Sequence, residues 1–144
     1  MSDIDNLISG FEMLGDWEHR YQYLAELGEK LPELPDALRV EANRVKPCMS
    51  QVWVYAQPDP QIPQNIHFQG DCDTSIIKGV VALLIKLSKG KTPQEFIDLD
   101  IDHLFEGLKL ADHLSPNRHV GIYAIVDVMK SQAAQLINTG ANTA

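Results

Sequence analysis

Cysteine and positive charge are both scarce in this chain. Its 144 residues include two cysteines, Cys48 and Cys72, which form neither a C-x-x-C redox pair nor half of a zinc site. Lysine and arginine total 12 against 20 aspartates and glutamates, which leaves a formal net charge of −8. Nucleic acids and anionic membranes are bound chiefly through clustered Lys and Arg, so this balance argues against both as partners. A protein or a small ligand is the expected partner.

Long apolar stretches and secretion signals are also missing. The longest apolar run, residues 80–85, is too short to cross a bilayer, and the acidic start of the chain lacks the blocks of a signal peptide. We therefore expect a cytoplasmic protein whose cysteines stay reduced. The histidines lack zinc-enzyme spacing, and the sequence contains no nucleotide-binding glycine loop and no G-x-S-x-G elbow. The sequence predicts no metal site and leaves thiol chemistry as the remaining option.

Length and composition fit one α+β domain. No internal repeat or long linker divides residues 1–144, and a frayed tail is expected at about 138–144. Helical patterns occupy most of the chain, and two short strand patterns lie in its middle. The prediction is a small antiparallel β-sheet packed against helices on one side, with residues 41–45 as a third strand.

Two helices are predicted before the first cysteine. Helical spacing of apolar residues begins after Ser2 and ends near Gly15. Asp16 is expected to cap a second helix that ends near Gly28. Prolines and polar residues then predict a largely irregular segment over residues 31–47, with one short helical turn at residues 36–40.

A β-hairpin is predicted between the two cysteines. Apolar side chains alternate along residues 52–56 and again along residues 66–70, after a turn that carries three prolines. A hairpin returns the end of its second strand to the start of its first. Residues 71–73 should therefore lie near Cys48.

The helix after the hairpin is expected to be the buried centre of the fold. Its residues 76–87 are apolar on nearly every side. Its N-terminus would stabilise a nearby thiolate or persulfide, because free N–H groups there carry a partial positive charge. Three residues can cap it: Asp71, Asp73 and Thr74.

Cap signals predict three further helices. Thr92, Pro93 and Glu95 combine an N-cap, a proline at the first helical position and a capping-box glutamate. Asp102 is expected to cap the next helix. Ser115, which precedes a proline, begins a long final helix.

Cys48 lies in a loop that leads directly into the first strand. Pro47 removes a backbone donor and fixes φ, so the approach to the cysteine is a turn. A thiol reacts as its thiolate, so it needs exposure and nearby positive charge to ionise near neutral pH. The alternative interpretation is a small buried hydrophobe at a strand end.

Three separated blocks of the sequence resemble the signature of the SufE family. They are Cys48-Met49-Ser50-Gln51-Val52-Trp53, then Gln69-Gly70-Asp71-Cys72-Asp73 with the apolar helix after it, then Leu114-Ser115-Pro116-Asn117-Arg118 followed by Gly121. The resemblance extends from about residue 11 to residue 136, nearly the whole chain. One position departs from the pattern, because the family usually has glycine before this cysteine and the chain has Pro47, which restricts the loop.

SufE-like proteins are small cytoplasmic sulfur acceptors, and their fold resembles that of the iron-sulfur scaffold IscU. The resemblance implies that the chain is a carrier rather than an enzyme and binds no cofactor of its own. It would take persulfide sulfur from a SufS-like, pyridoxal-phosphate cysteine desulfurase onto Cys48, stimulate that enzyme, and deliver the sulfur to an iron-sulfur scaffold complex. The residues implied to support the cysteine or bind the partner are Ser50, Gln51, Asp71, Asp73 and Arg118. Whether the chain forms a homodimer is left open.

Arg118 and Cys72 each keep a second interpretation. Arg118 lies in the first turn of the final helix, where a cation opposes the helix dipole, so it either serves the site or pairs with a surface carboxylate. Cys72 is either a small capping residue or a second thiol that forms a disulfide or shares a metal with Cys48. The second possibility would make the chain a two-cysteine thiol-redox protein. A passive iron-sulfur scaffold would need more soft ligands than two cysteines provide.

Overall fold

The computed structural model describes residues 3–46 and 51–140, which form helices around one two-stranded antiparallel sheet. The predicted α+β class is confirmed. The α-helices are α1 (Asp3–Met13), α2 (Trp17–Glu29), α3 (Ser75–Ser88), α4 (Pro93–Ile97), α5 (Ile101–Leu108) and α6 (Pro116–Gly140). The strands are β1 (Val52–Pro58) and β2 (Ile66–Cys72), and the 3₁₀ helices are Asp36–Leu38, Glu41–Asn43 and Leu110–Asp112.

Side-chain caps set the starts of several helices. Asp16 accepts the His19 N–H at 3.0 Å and begins α2, as predicted. Thr92 and Glu95 form the predicted capping box at the start of α4. These local hydrogen bonds satisfy N–H groups that have no partner within the helix.

The predicted cap of α5 is wrong by two residues. Asp100, not Asp102, is the N-cap, and its carboxylate accepts the His103 N–H at 3.1 Å. Asp102 lies inside the first turn, where its negative charge still complements the helix dipole. Two aspartates two positions apart give the same sequence signal, and the backbone conformation decides between them.

The hairpin forms in the predicted place, but the third strand does not. β1 and β2 pair from Val52 opposite Cys72 to Pro58 opposite Ile66. Glu41–Asn43 is a 3₁₀ helix, and only a single bridge joins Arg44 to β1. Further along β1 the Gln132 side chain of α6 donates to the Val54 carbonyl at 2.8 Å. A longer third strand would have to donate a backbone N–H to this same carbonyl, which is already bonded.

α3 is the buried centre of the structure, as its sequence predicts. Residues along most of its length are buried, and α2, β2 and α6 pack against it. α2 approaches most closely at Gly79, where a Cβ would lie 2.1 Å from the Leu24 carbonyl oxygen. This packing fixes the start of α3 directly after the end of β2.

α6 closes the fold against β1 and α4 and continues to Gly140. Residues 138–140, which we expected to begin the frayed tail, are therefore helical. The rest of that tail, residues 141–144, lies outside the described residues. Among the helices in the described part of the chain, none is long and apolar enough to cross a membrane.

Candidate functional site

The candidate site is the end of the hairpin where β1 begins and β2 ends. The predicted acceptor Cys48 and its neighbour Ser50 lie outside the described residues, within residues 47–50. The chain on both sides of that segment is described. On the entry side, the Val45 N–H donates to the Val52 carbonyl at 2.9 Å, and both side chains are fully buried. The entry side is thus anchored to the first residue of β1.

Asp73 anchors the exit side. Its carboxylate accepts the Gln51 N–H at 3.0 Å, and its own N–H donates to the Gln51 carbonyl at 3.1 Å. The Thr74 hydroxyl also donates to the carboxylate, at 3.2 Å. Because Asp73 follows β2 directly, these bonds extend the hairpin by one more pair. The structure therefore brings together two of the predicted site residues, Gln51 and Asp73.

We expect Asp73→Ala to loosen this exit anchor without unfolding the hairpin. Loss of an exposed, charge-assisted hydrogen bond should raise hydrogen–deuterium exchange at the Gln51 amide by roughly five- to tenfold. Asp59→Ala is the matched control, because Asp59 accepts the N–H groups of Gln61 and Ile62 in the turn at the other end of the hairpin. Unchanged exchange at Gln51 in Asp73→Ala would contradict the anchoring role.

Asp71, the third predicted residue here, links three elements around the site. Its carboxylate lies 2.5 Å from Arg39 Nη2 and 3.2 Å from Lys78 Nζ of α3, and it accepts the Cys72 N–H at 2.8 Å. Partial burial raises the pKa of Asp71, but the hydrogen bonds from Arg39, Cys72 and Lys78 together outweigh it and leave the pKa below its usual value. Asp71 therefore stays ionised as a structural anion.

Arg39 and Lys78 were not predicted as site residues. Lys78 was visible only as one of few charges on an apolar helix, and Arg39 fell within the one short helical turn predicted in an otherwise irregular segment. Neither signal identifies Asp71 as their common partner, because the three residues come from different elements. A tertiary contact of this kind has no local pattern from which it could be found.

Cys72 lies at the end of β2, opposite Val52, and is buried in the hydrophobic core with 6% of its surface exposed. Its sulfur accepts the Thr74 N–H at 3.4 Å. Thr74 is the N-cap residue of α3, so the sulfur bonds the backbone at the start of that helix. This position and burial agree with a small packed residue near a cap.

Arg118 lies in the first turn of α6, where its N–H donates to Ser115 Oγ at 3.3 Å. Its side chain is exposed and forms no ion pair within residues 3–46 and 51–140. It borders a surface cavity of about 600 Å³ that also includes Ile76, in the first turn of α3. Arg118 therefore shares a cavity with the start of α3. It is not part of the Asp71 cluster.

Metal binding has no support in the described residues. Across residues 3–46 and 51–140, no group of three or more His, Cys, Asp or Glu side chains is arranged to hold a metal ion.

Comparisons with known proteins agree with this architecture. The solution structure of a hypothetical protein from Thermus thermophilus is similar in fold, with a TM-score of 0.77. The two chains are 21% identical, and the match covers 94% of this chain and 96% of that chain. The family model described as "SufE: Fe-S metabolism associated domain" matches residues 5–133, nearly the whole sequence. The chain belongs to the SufE family of domains associated with iron-sulfur metabolism.

Proposed function

We propose that this protein is a sulfur acceptor that receives persulfide sulfur on Cys48 from a cysteine desulfurase. We call residues 47–50 the cysteine segment. The observation that carries the proposal is the pair of anchors on either side of it, Val45 to Val52 and Gln51 to Asp73. Three peptide units separate Cys48 from Val45 and three separate it from Gln51. Each unit spans at most about 3.6 Å, so the chain keeps Cys48 within roughly 11 Å of both anchors. The nucleophile of the family motif is thus tethered to the end of the hairpin.

The proposed reaction is a thiol exchange that needs no further oxidant. The Cys48 thiolate attacks the outer sulfur of the persulfide on the desulfurase cysteine. A sulfur–sulfur bond forms to Cys48 as the bond between the two partner sulfurs breaks, and the desulfurase cysteine leaves as a thiolate. The outer sulfur keeps its proton, and Cys48 becomes the persulfide that is delivered to iron-sulfur cluster assembly.

The charges around the hairpin end suit an anionic sulfur. The N-terminus of α3, which begins directly after Thr74, carries the partial positive charge of the helix dipole. Arg39 and Lys78 add two cations, which are paired with Asp71 and, for Arg39, also with Asp36 at 3.7 Å. The helix N-terminus favours a thiolate or persulfide over its protonated form.

The proposal assigns the cofactor chemistry to the partner. The desulfurase would bring pyridoxal phosphate and generate the persulfide, and this chain would carry the sulfur and stimulate turnover in the cytoplasm without a cofactor of its own. Intact-protein mass spectrometry after incubation with a desulfurase and cysteine tests the assignment. The protein should gain the mass of one sulfur atom and lose it on treatment with a reductant; absence of the gain would reject the proposal.

The alternative two-cysteine redox function predicts a different response to loss of Cys72. Because Cys72 is buried as a small core residue, we expect Cys72→Ala to cost about 1 kcal/mol of stability and leave sulfur acceptance unchanged. Acceptance is followed by intact mass and stability by urea unfolding. A redox protein that resolves through Cys72 would lose its activity in this variant, and that result would favour the alternative.

A further inference from the structure

Arg39 precedes the cysteine segment, yet its side chain contacts both strands of the hairpin. Its Nη2 lies 2.5 Å from Asp71 Oδ2 of β2, and its guanidinium carbon lies 5.3 Å from the centre of the Trp53 ring of β1. Trp53 and Asp71 are directly opposite each other in the register. One side chain therefore joins the segment before the cysteine to one residue pair of the hairpin.

That residue pair is next to the end of the hairpin that carries the cysteine segment. The last pair is Val52 with Cys72, and the Val52 carbonyl accepts the Val45 N–H. We call residues 39–46 the entry arm. This arm is fixed to the hairpin at its first residue by the Arg39 side chain and near its last residue by the Val45 backbone.

The other cations of the entry arm do not have this role. Arg44 and Lys46 form their described ion pairs with Glu41 of the same arm, at 3.9 and 4.0 Å. The Lys46 and Glu41 side chains are about 70% exposed, and exposed pairs of this kind contribute little to stability. The Arg39 and Asp71 side chains are 27% and 17% exposed, so solvent screens their interaction less.

The Arg39 site also selects for arginine over lysine. A guanidinium is planar and can lie over an aromatic ring while its N–H groups bond a carboxylate. Arg39 does both, with Trp53 and Asp71. A lysine ammonium could reach the carboxylate but would lose the stacked arrangement. Asp71 would still keep Lys78 and the Cys72 N–H if Arg39 were replaced, so the core need not collapse.

We propose that Arg39 is a positioning residue for Cys48, which acts by holding the entry arm against the hairpin. This inference rests on the proposed function, because it concerns how the same cysteine meets its partner. Loss of the contact leaves the arm held to the hairpin near its last residue only, by the Val45 hydrogen bond and the Arg44 bridge. An arm held at one end makes the thiol easier for a small reagent to reach and harder for a protein partner to engage in one fixed geometry.

Arg39→Gln tests this proposal with two rates that should move in opposite directions. Alkylation of Cys48 by iodoacetamide in the isolated protein should become faster, and sulfur transfer from a saturating desulfurase should become slower. Each change is expected to be roughly three- to tenfold, the size expected for loss of one ordinary hydrogen bond that solvent partly screens. Both rates are read by mass spectrometry on the peptide that contains Cys48.

Arg44→Gln is the matched control, since it removes an arginine of the same arm whose ion pair, in the part of the chain that the structure describes, is with the nearby Glu41. It should leave both rates unchanged, and Arg39→Lys should fall between Arg39→Gln and the wild type. If the wild type accepts sulfur and Arg39→Gln behaves like Arg44→Gln, the positioning role is wrong and the proposed function stands. If alkylation of the buried Cys72 rises together with that of Cys48 and the melting temperature falls, Arg39 is only structural. If the wild type accepts no sulfur, the proposed function itself fails.

Discussion

Cys48→Ser is expected to abolish sulfur acceptance and to remove the stimulation of desulfurase turnover. A serine hydroxyl is close in size to a thiol but is not ionised near neutral pH, so it cannot attack a persulfide sulfur. The substitution lies in the segment between the Val45 and Gln51 anchors, so the described fold should remain. Sulfide release by the desulfurase, measured with and without the variant, gives the result directly.

The same assay on Cys72→Ala separates the two cysteines. The variant should stimulate the desulfurase as the wild type does, because the Cys72 sulfur is buried and bonds the Thr74 N–H. Circular dichroism and urea unfolding of each variant show that the protein is folded. Full stimulation by Cys48→Ser would contradict the assignment of that residue as the acceptor.

Gly79→Ala is expected to destabilise the fold by about 2 kcal/mol. The added Cβ would lie 2.1 Å from the Leu24 carbonyl oxygen, a backbone atom that cannot move away unless α2 and α3 separate. Overpacking of this kind destabilises a fold by about 1–3 kcal/mol. The higher helix propensity of alanine stabilises the helix by at most about 1 kcal/mol, which offsets only part of this loss. The midpoint of urea unfolding should fall, and the change gives the free energy of unfolding.

Gly10→Ala provides the control for helix propensity. Gly10 lies within α1, and a Cβ there would meet no atom within 4 Å. This variant should therefore be more stable than the wild type by about 0.5–1 kcal/mol. If Gly79→Ala were as stable as the wild type, the close approach of α2 to α3 would not be a constraint on the fold.

Features with a local physical cause could be predicted from the sequence. The alternation on both sides of a proline-rich turn predicted the hairpin, and the register places Cys72 opposite Val52. The caps at Asp16 and Thr92 were predicted because a side chain bonds the N–H three residues later. In each case the interacting residues are close in sequence, so the local sequence pattern is enough to predict the interaction.

Features that depend on the tertiary structure could not be predicted. Residues 41–45 were expected to form a third strand, but the acceptor at Val54 is taken by Gln132, which is remote in sequence. The Arg39 contact with Asp71 joins a 3₁₀ segment to a strand, and no spacing rule connects them. The contacts that hold the chain on either side of the cysteine segment were therefore found only in the structure.

Mapping the sulfur atom to one residue is the most direct test of the central claim. The wild-type protein is incubated with a desulfurase and cysteine, alkylated, and cleaved at aspartate. Trypsin is unsuitable because no lysine or arginine lies between Lys46 and Lys78, so both cysteines would remain on one peptide. We predict that the additional sulfur is found on the peptide that contains Cys48. Sulfur on Cys72, or on neither cysteine while the desulfurase is active, would contradict the account.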